Sequence, residues 1–432
     1  MTRTARPADS HQGSIARPTY LEARPHRLVY FDGIWVAFVM TAMLFEQLLR
    51  SGTALVLVAA VPVYFIVRPD RLPKAGLAVG VLGLLPAFAL LSAFWSAVPQ
   101  TTLYYGTEYL ITVLIGIVIG VAVNANQALI GLFFAFSAHA IASMLIGGYA
   151  LVGRVGSSEV ELAFIGIMAS KNQAADASGL GMLIASAVAA FGIAQRRYFL
   201  GLCALVVLGI DIWMVVRADS TGALLAAVFA AFAMIAMQAG RVLTMQARTL
   251  LFVTITTTLT LAFALRTFWF DAVMGSILES AGKDATLTGR TFIWDQASRM
   301  IDANPAFGLG YNAFWNVGNP DAELIWKFAG IAEKRGFNFH NTAIEILVHL
   351  GYVGFTLFAA VAGALAMLLA IRVTRRPEAF GTFAVAYLFF MGIRTPVESY
   401  GFNPFSYATA LIFAILSYAL RSEHRRQAAK PR

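Results

Sequence analysis

A few short polar segments hold the histidine, arginine and carboxylate residues through which this sequence could do chemistry. His340-Asn341-Thr342-Ala343-Ile344-Glu345 opens a long apolar run. Of the six histidines, only His340 stands at the outer mouth of such a run. Its imidazole, with an ordinary pKa near 6.5, suits a general base. A histidine at a helix start equally suits a cap or a structural donor. His349 follows nine residues later, about 180° around a helix, so the two rings cannot share a site. Upstream, Leu287-Thr288-Gly289-Arg290 leads into Thr291–Asp302, whose apolar residues Ile293, Trp294, Ala297, Met300 and Ile301 have helical spacing. Asn304-Pro305 ends that helix. An arginine beside free backbone N–H groups at a helix start suits a phosphate. It equally suits snorkelling to headgroups or pairing with a carboxylate.

Next comes Asn304-Pro305-Ala306-Phe307-Gly308-Leu309-Gly310-Tyr311-Asn312-Ala313-Phe314-Trp315. Pro and Gly set a tight turn there. The rings of Tyr311 and Trp315 could stack on sugars, although aromatics are also common at membrane interfaces. Lys171-Asn172-Gln173 and Arg217-Ala218-Asp219-Ser220-Thr221-Gly222 each stand where an apolar run begins. Arg217 could pair locally with Asp219. Arg154, Lys171, Arg217 and Arg290 fall on one side, partly offset by Glu159, Glu161, Asp321 and Glu323. Cations gathered at a bilayer surface suit an anionic, lipid-linked group. Glu398, beside Arg394 in the last outer loop, could face the same site. Asp32, Glu46, Glu108, Asp176, Asp211 and Glu345 also lie within or near apolar runs, where charge is costly and often functional.

The elements that must position these residues are membrane spans. Hydrophobic residues make up 59% of the 432 and charged residues only 13%, about half the soluble norm of roughly 25%. An ordinary soluble enzyme, a disordered chain and a coiled coil are thereby excluded. Apolar runs of spanning length lie near 31–49, 52–67, 75–96, 102–123, 127–149, 174–194, 198–216, 222–238, 249–269, 343–371, 379–393 and 404–420. The expected fold is all-α and polytopic, with about twelve transmembrane helices and a large, partly helical outer loop at 270–339. One transmembrane domain spans 29–421 between a basic tail at 1–28 and a second tail at 422–432. With both termini cytoplasmic, the cytoplasmic pieces hold 20 of the 32 Lys and Arg residues. The positive-inside rule thus explains the net charge of +9 without nucleic acid. Cys203 is the single cysteine, so no intramolecular disulfide forms. No zinc spacing, P-loop, dinucleotide fingerprint or Ser-His-Asp signature appears.

The order Gly289-Arg290, Trp294, Asn304-Pro305, Gly308-Leu309-Gly310-Tyr311, His340-Asn341, Glu345, Gly351 and Gly354 resembles the O-antigen ligase and polysaccharide polymerase superfamily. Gly310-Tyr311-Asn312-Ala313-Phe314-Trp315 and Lys171-Asn172-Gln173 are similar to its exopolysaccharide-polymerase branch. The clear match covers about 289–355. The resemblance implies a metal-independent, cofactor-free glycosyltransferase at the periplasmic face of the bacterial inner membrane. Its donor would be a glycan on undecaprenyl diphosphate and its acceptor a second lipid-linked glycan or lipid A-core. Membrane lipid surrounds it, and polysaccharide export proteins are candidate partners. By the family pattern Arg290 holds the diphosphate and His340 activates or orients the acceptor hydroxyl. Arg154, Lys171, Asn172, Tyr311, Trp315, Asn341 and Glu398 are expected around the substrate, Arg154 and Glu398 from charge and position alone. A second family arginine stands in Ser-Arg-Gly, where this chain reads Ser220-Thr221-Gly222. Arg217 would substitute if its helix reached back one turn. A ligase shares the donor end with a polymerase. A lipid-linked-sugar transporter would instead need repeat symmetry, discontinuous helices and midplane charges.

Overall fold

A computed structural model of the chain describes residues 30–153, 160–240, 243–264, 289–334 and 336–421. Both tails, Arg154 and the 270–288 part of the outer loop lie outside the described residues. Among the described residues the apolar runs form helix, because a backbone among apolar side chains and lipid must satisfy its own hydrogen bonds. In chain order the helices are α1 (Phe31–Leu44), α2 (Glu46–Leu49), α3 (Ser51–Val67), α4 (Leu72–Leu82), α5 (Leu84–Leu91), α6 (Pro99–Ile117) and α7 (Ala125–Ile146). They continue as α8 (Lys171–Ala194), α9 (Tyr198–Arg217), α10 (Thr221–Ala239), α11 (Met245–Ala264), α12 (Arg290–Ala303), α13 (Pro320–Ala329), α14 (Thr342–Arg375), α15 (Ala379–Arg394) and α16 (Tyr407–Ala419).

By length and apolarity, six helices among the described residues can cross a membrane. A seventh is possible if the pair Ser51–Val67 and Pro69–Leu82, bent by 93°, counts as one span. That compares with twelve apolar runs in the sequence. Four further apolar helices, Phe31–Leu44, Leu84–Phe94, Ala379–Arg394 and Tyr407–Ala419, are shorter than a straight span, and breaks that hydropathy does not register divide the early runs. Pro69 and Pro73 fall at the 93° bend, and Gly83 separates α4 from α5.

The core forms where small residues let helices approach. Gly116 and Gly120 face α16: a Cβ on Gly116 would lie 2.6 Å from the Ala410 carbonyl oxygen. On Gly120 it would overlap that of Ala414. Helix α8, rich in Ala and Gly, packs on α9 and also meets α7, α10 and α15.

The all-α expectation needs one correction. After α7, Gly148–Gly153 and Val160–Gly166 pair as an antiparallel hairpin, β1–β2. Gly166 takes φ +57, and Phe164 packs edge-on against Trp213 of α9 at 5.4 Å. The apolar run read as a span to 149 therefore ends at Ile146.

The outer loop carries its own small core of Ile293, Ala297, Phe314, Ala322, Ile325, Trp326, Phe339 and Val348. The apolar face of α12 is turned into this core. It is joined to the bundle through a break in α14. Gly351 there has φ 63 and ψ −168, and the Pro305–Gly310 turn fills the gap. Leu309 N and Gly310 N donate to the Val348 and His349 carbonyls at 2.9 Å each. Tyr352 N and Val353 N donate to Pro305 O and Ala306 O at 2.8 and 3.1 Å. The turn thus satisfies the orphaned groups of both half-helices.

A side chain at Gly351 has no space, since its Cβ would overlap Ala306 O. Gly351→Ala is expected to destabilise the protein by at least about 2 kcal/mol, from left-handed backbone strain and overlap together. Gly363 lies in the same helix, and a Cβ there would meet nothing within 4 Å. Gly363→Ala should therefore be neutral or slightly stabilising. Thermal unfolding in detergent compares the two, and equal shifts would refute the account of the break.

Candidate active site

The segments singled out in the sequence converge on one carboxylate, Glu398, in the loop between α15 and α16. Its Oε1 accepts from Arg290 Nη2 at 2.8 Å and Asn172 Nδ2 at 2.9 Å. Arg394 Nη2 lies 3.6 Å from the same oxygen. Its Oε2 lies 2.9 Å from His340 Nδ1. Burial by itself would raise the Glu398 carboxyl. His340, Arg290 and Arg394 outweigh it and hold the group down at about 2. Glu398 is therefore ionised and can only accept. That fixes the His340 tautomer: Nδ1 donates to Glu398, and Nε2 is left as the ring's basic nitrogen. His340 itself has φ 51, an uncommon conformation for a residue with a side chain.

Each partner is positioned by its own element. Arg290 opens α12 after Gly289, whose φ is +82. Trp294 Nε1 donates to Phe339 O at 2.8 Å, tying α12 to the segment before His340. A second carboxylate organises that segment from below. Glu345 accepts from Phe339 N at 2.8 Å, and from Trp315 Nε1 and Ser399 Oγ at 3.2 Å each. Glu345 Oε1 also meets His349 Nε2 at 3.2 Å. Thus the Trp315 turn, the His340 segment and the Glu398 loop are fixed to one point.

At the start of α8, Asn172 bridges two loops. Its amide donates to Glu398, and its carbonyl accepts from Ser220 Oγ at 3.1 Å. Lys171 Nζ pairs with Asp219 at 3.1 Å. One turn further along α8, Asp176 meets Arg394 in the buried interior, with Nε–Oδ1 at 2.7 Å and Nη2–Oδ2 at 2.9 Å. Tyr400 also donates to Asp176. Burial pushes that phenol well above its ordinary range, so it stays protonated.

Several expectations change on this geometry. Tyr311 offers no face to a sugar. Its ring is buried and stacks on Tyr109 at 5.2 Å, and its hydroxyl donates to Phe402 O. Trp315 is half-buried among Phe314, Trp326, Phe337 and Phe339. Asn341 is engaged at both ends of its amide: Oδ1 caps α14 through Ile344 N, and Nδ2 donates to Pro396 O. It positions the segment instead of presenting a free amide.

Arg217 does not reach back from α10. It closes α9, Asp219 breaks the chain with φ +47, and α10 begins only at Thr221. Arg217 is exposed, and its neighbour Asp219 is taken by Lys171. The cation lying against the Ser220-Thr221-Gly222 segment is Arg394, whose Nη1 would sit 2.7 Å from a Cβ on Gly222. Sequence reasoning placed Arg394 beside Glu398 but assigned it no role. Its spacing of one helical turn from Glu398, and that of Asp176 from Asn172, was the available signal.

The fold and the site together define a helical membrane protein whose loops gather guanidiniums, a carboxylate-oriented imidazole and amides at one end of the bundle. The family model described as O-antigen ligase matches residues 204–359. The exopolysaccharide production protein ExoQ of Rhizobium meliloti (strain 1021) is 30% identical over 347 residues, covering 79% of this chain and 77% of that protein. This chain belongs to the O-antigen ligase family, whose members are glycosyl-transferring enzymes of the polysaccharide ligase or polymerase type.

Proposed function

We propose that the chain polymerises undecaprenyl-diphosphate-linked oligosaccharide repeat units at the periplasmic face of the bacterial inner membrane. The observation that carries this reading is Glu398, which orients His340 and Arg290 toward one place. The acceptor hydroxyl attacks the anomeric carbon of the donor glycan, and its proton passes to His340 Nε2. The bond from that carbon to the diphosphate oxygen breaks, and undecaprenyl diphosphate leaves with the electron pair. Arg290 gives one nitrogen to Glu398, and its remaining donors suit phosphate oxygens. Cations fixed in place before the reaction stabilise the charge that develops on the leaving group. Attack from the face opposite the diphosphate inverts the anomeric centre. The leaving group needs neither a metal nor a nucleotide in this scheme.

Arg394 supports Glu398 from beneath, and Lys171 with Asn172 borders the same place. Arg217 is assigned no phosphate contact. The polymerase reading is favoured over transfer to lipid A-core by the relative's role in exopolysaccharide production. Substrate chemistry follows the family, which works on lipid-linked glycans.

Purified protein in lipid nanodiscs, given only the lipid-linked repeat unit and EDTA, should yield a ladder of longer glycans. Transfer that starts only when lipid A-core is added would replace polymerase with ligase. No transfer to either acceptor by folded protein would overturn the enzymatic reading.

A further inference from the structure

Among the described residues, Glu398 has two guanidiniums beside the same oxygen and hydrogen-bonds one of them. Arg290 Nη2 donates to Oε1 at 2.8 Å, and Asn172 Nδ2 donates to that atom at 2.9 Å. A carboxylate oxygen offers two lone pairs, so these two donors fill it. Arg394 Nη2 stops 3.6 Å away. The backbone favours a closer approach. Arg394 stands one helical turn before Glu398, a spacing at which opposite charges meet readily. Glu398 N also donates to Arg394 O at 2.8 Å, so the chain between them is itself such a turn.

What turns the guanidinium aside is Asp176 of α8. Arg394 Nη2 donates to Asp176 Oδ2 at 2.9 Å, and Nε lies 2.7 Å from Oδ1. Both side chains are 3% exposed, so each charge depends on the other. Tyr400 donates to the same carboxylate and helps to fix its orientation. Arg394 Nη1 lies against Gly222, 2.7 Å from where a Cβ would stand. That glycine leaves the room the guanidinium occupies.

Loss of the Asp176 charge would release this hold. A buried guanidinium without its carboxylate is costly, and the carboxylate already beside it is Glu398. A shift of Nη2 from 3.6 to 2.8 Å would give Arg394 the bond that Arg290 now makes. Oε1 would then face three donors with two lone pairs.

We propose that Asp176 is a positioning residue whose charge holds Arg394 off Glu398 and so reserves Oε1 for Arg290 and Asn172. Arg394 adds its positive field to Glu398 without occupying an acceptor position. Asp176 touches no substrate; it acts through Arg394 and Glu398. The inference deepens the proposed function and rests on its reading of Arg290 as the group that holds the donor.

Thermal unfolding of the full-length protein in detergent tests the arrangement without substrate. Arg290→Gln should lower the midpoint in the unaltered protein, because it deletes a bond to a charged acceptor. In Asp176→Asn, where Arg394 has already displaced Arg290, the same change should lower it by at most about half as much. Asparagine keeps the shape of the aspartate and still accepts from Arg394. Adding Arg394→Gln to Asp176→Asn removes the competitor and should restore the full Arg290→Gln shift. Asp176→Asn with Arg394→Lys keeps a cation there without its carboxylate. It should reduce the shift as Asp176→Asn does, and it serves should that variant not fold. A merely structural Asp176 gives additive effects, and equal Arg290→Gln shifts in all these backgrounds would overturn the proposal. So would no shift in the unaltered protein, or a reduced shift that persists once Arg394→Gln is added.

Glycan transfer in nanodiscs gives the second readout. Asp176→Asn should lower kcat/KM for the lipid-linked repeat unit by about 10²-fold, the cost of a group misplaced by about 1 Å. KM should rise, because Arg290 loses its anchor. Arg394→Gln added to Asp176→Asn should recover at least about tenfold of that loss, and no recovery in the folded double variant would overturn the proposal. No transfer by the unaltered protein would overturn the functional reading instead, while the unfolding series still decides whether Asp176 holds Arg394 off Glu398.

Discussion

Replacing His340 with glutamine is expected to lower glycan transfer by about 10²- to 10⁴-fold, the usual contribution of a positioned general base. The protein should stay folded in the membrane. Glutamine can still donate toward Glu398, so the packing role of the ring is largely preserved, but it cannot take up a proton. On the proposed mechanism the effect should fall on kcat more than on KM, because Arg290 would still hold the donor. The discriminating readout is that split: loss of a structural donor would raise KM and lower stability together, whereas loss of the base lowers kcat. Activity within about threefold of the unaltered protein would remove His340 from the chemistry and leave it a structural donor.

Glu398→Ala is expected to have an equally large effect on activity and a greater one on stability. It takes the shared acceptor from Arg290, Asn172 and His340 at once. Removing one partner of a buried charge pair costs about 3–5 kcal/mol, because the other charge is left uncompensated. Transfer should fall to background, since neither the arginine nor the imidazole keeps its orientation.

Glu398→Gln separates charge from shape through pH. The Glu398 carboxyl sits at about 2, against 4.5 for the same group free. A depressed pKa means the folded state prefers the ionised form. Its stabilising contribution is therefore complete above about pH 4.5 and is lost as pH falls toward about 2. Thermal unfolding across that window should show a component in the unaltered protein that is missing from Glu398→Gln. Identical pH dependence in both would show that the carboxylate is not the hub.

Hydropathy exposed the helical scaffold, because lipid-compatible helices must be apolar throughout. Arg290 and His340 were readable because each stands at the start of a helix next to a distinctive short pattern. The pairing of Arg394 with Asp176 was not readable. The two are 218 positions apart, and a buried charge gives no local sign of which distant residue neutralises it. Tyr311 misled for a different reason. An aromatic in a glycine-rich turn looks the same in sequence whether its ring faces solvent or stacks on Tyr109. Gly351 stood in the family pattern, but the break there was hidden because one glycine barely lowers the hydropathy of a long run. Nothing in that run reveals that another loop fills the resulting break. Arg217 failed as a substitute because one left-handed residue, Asp219, cuts the helix that would have carried it across.

The Glu398 loop also orders events during biosynthesis. Glu398 is synthesised 226 residues after Asn172, 108 after Arg290 and 58 after His340. A nascent chain therefore carries Arg290 and His340 well before the group that orients them exists. Until the α15–α16 loop has been translated, these side chains have no shared acceptor and the imidazole has no fixed tautomer. Maturation of the site is thus a late step of membrane insertion, and an unfinished polypeptide has no assembled centre with which to consume lipid-linked precursor.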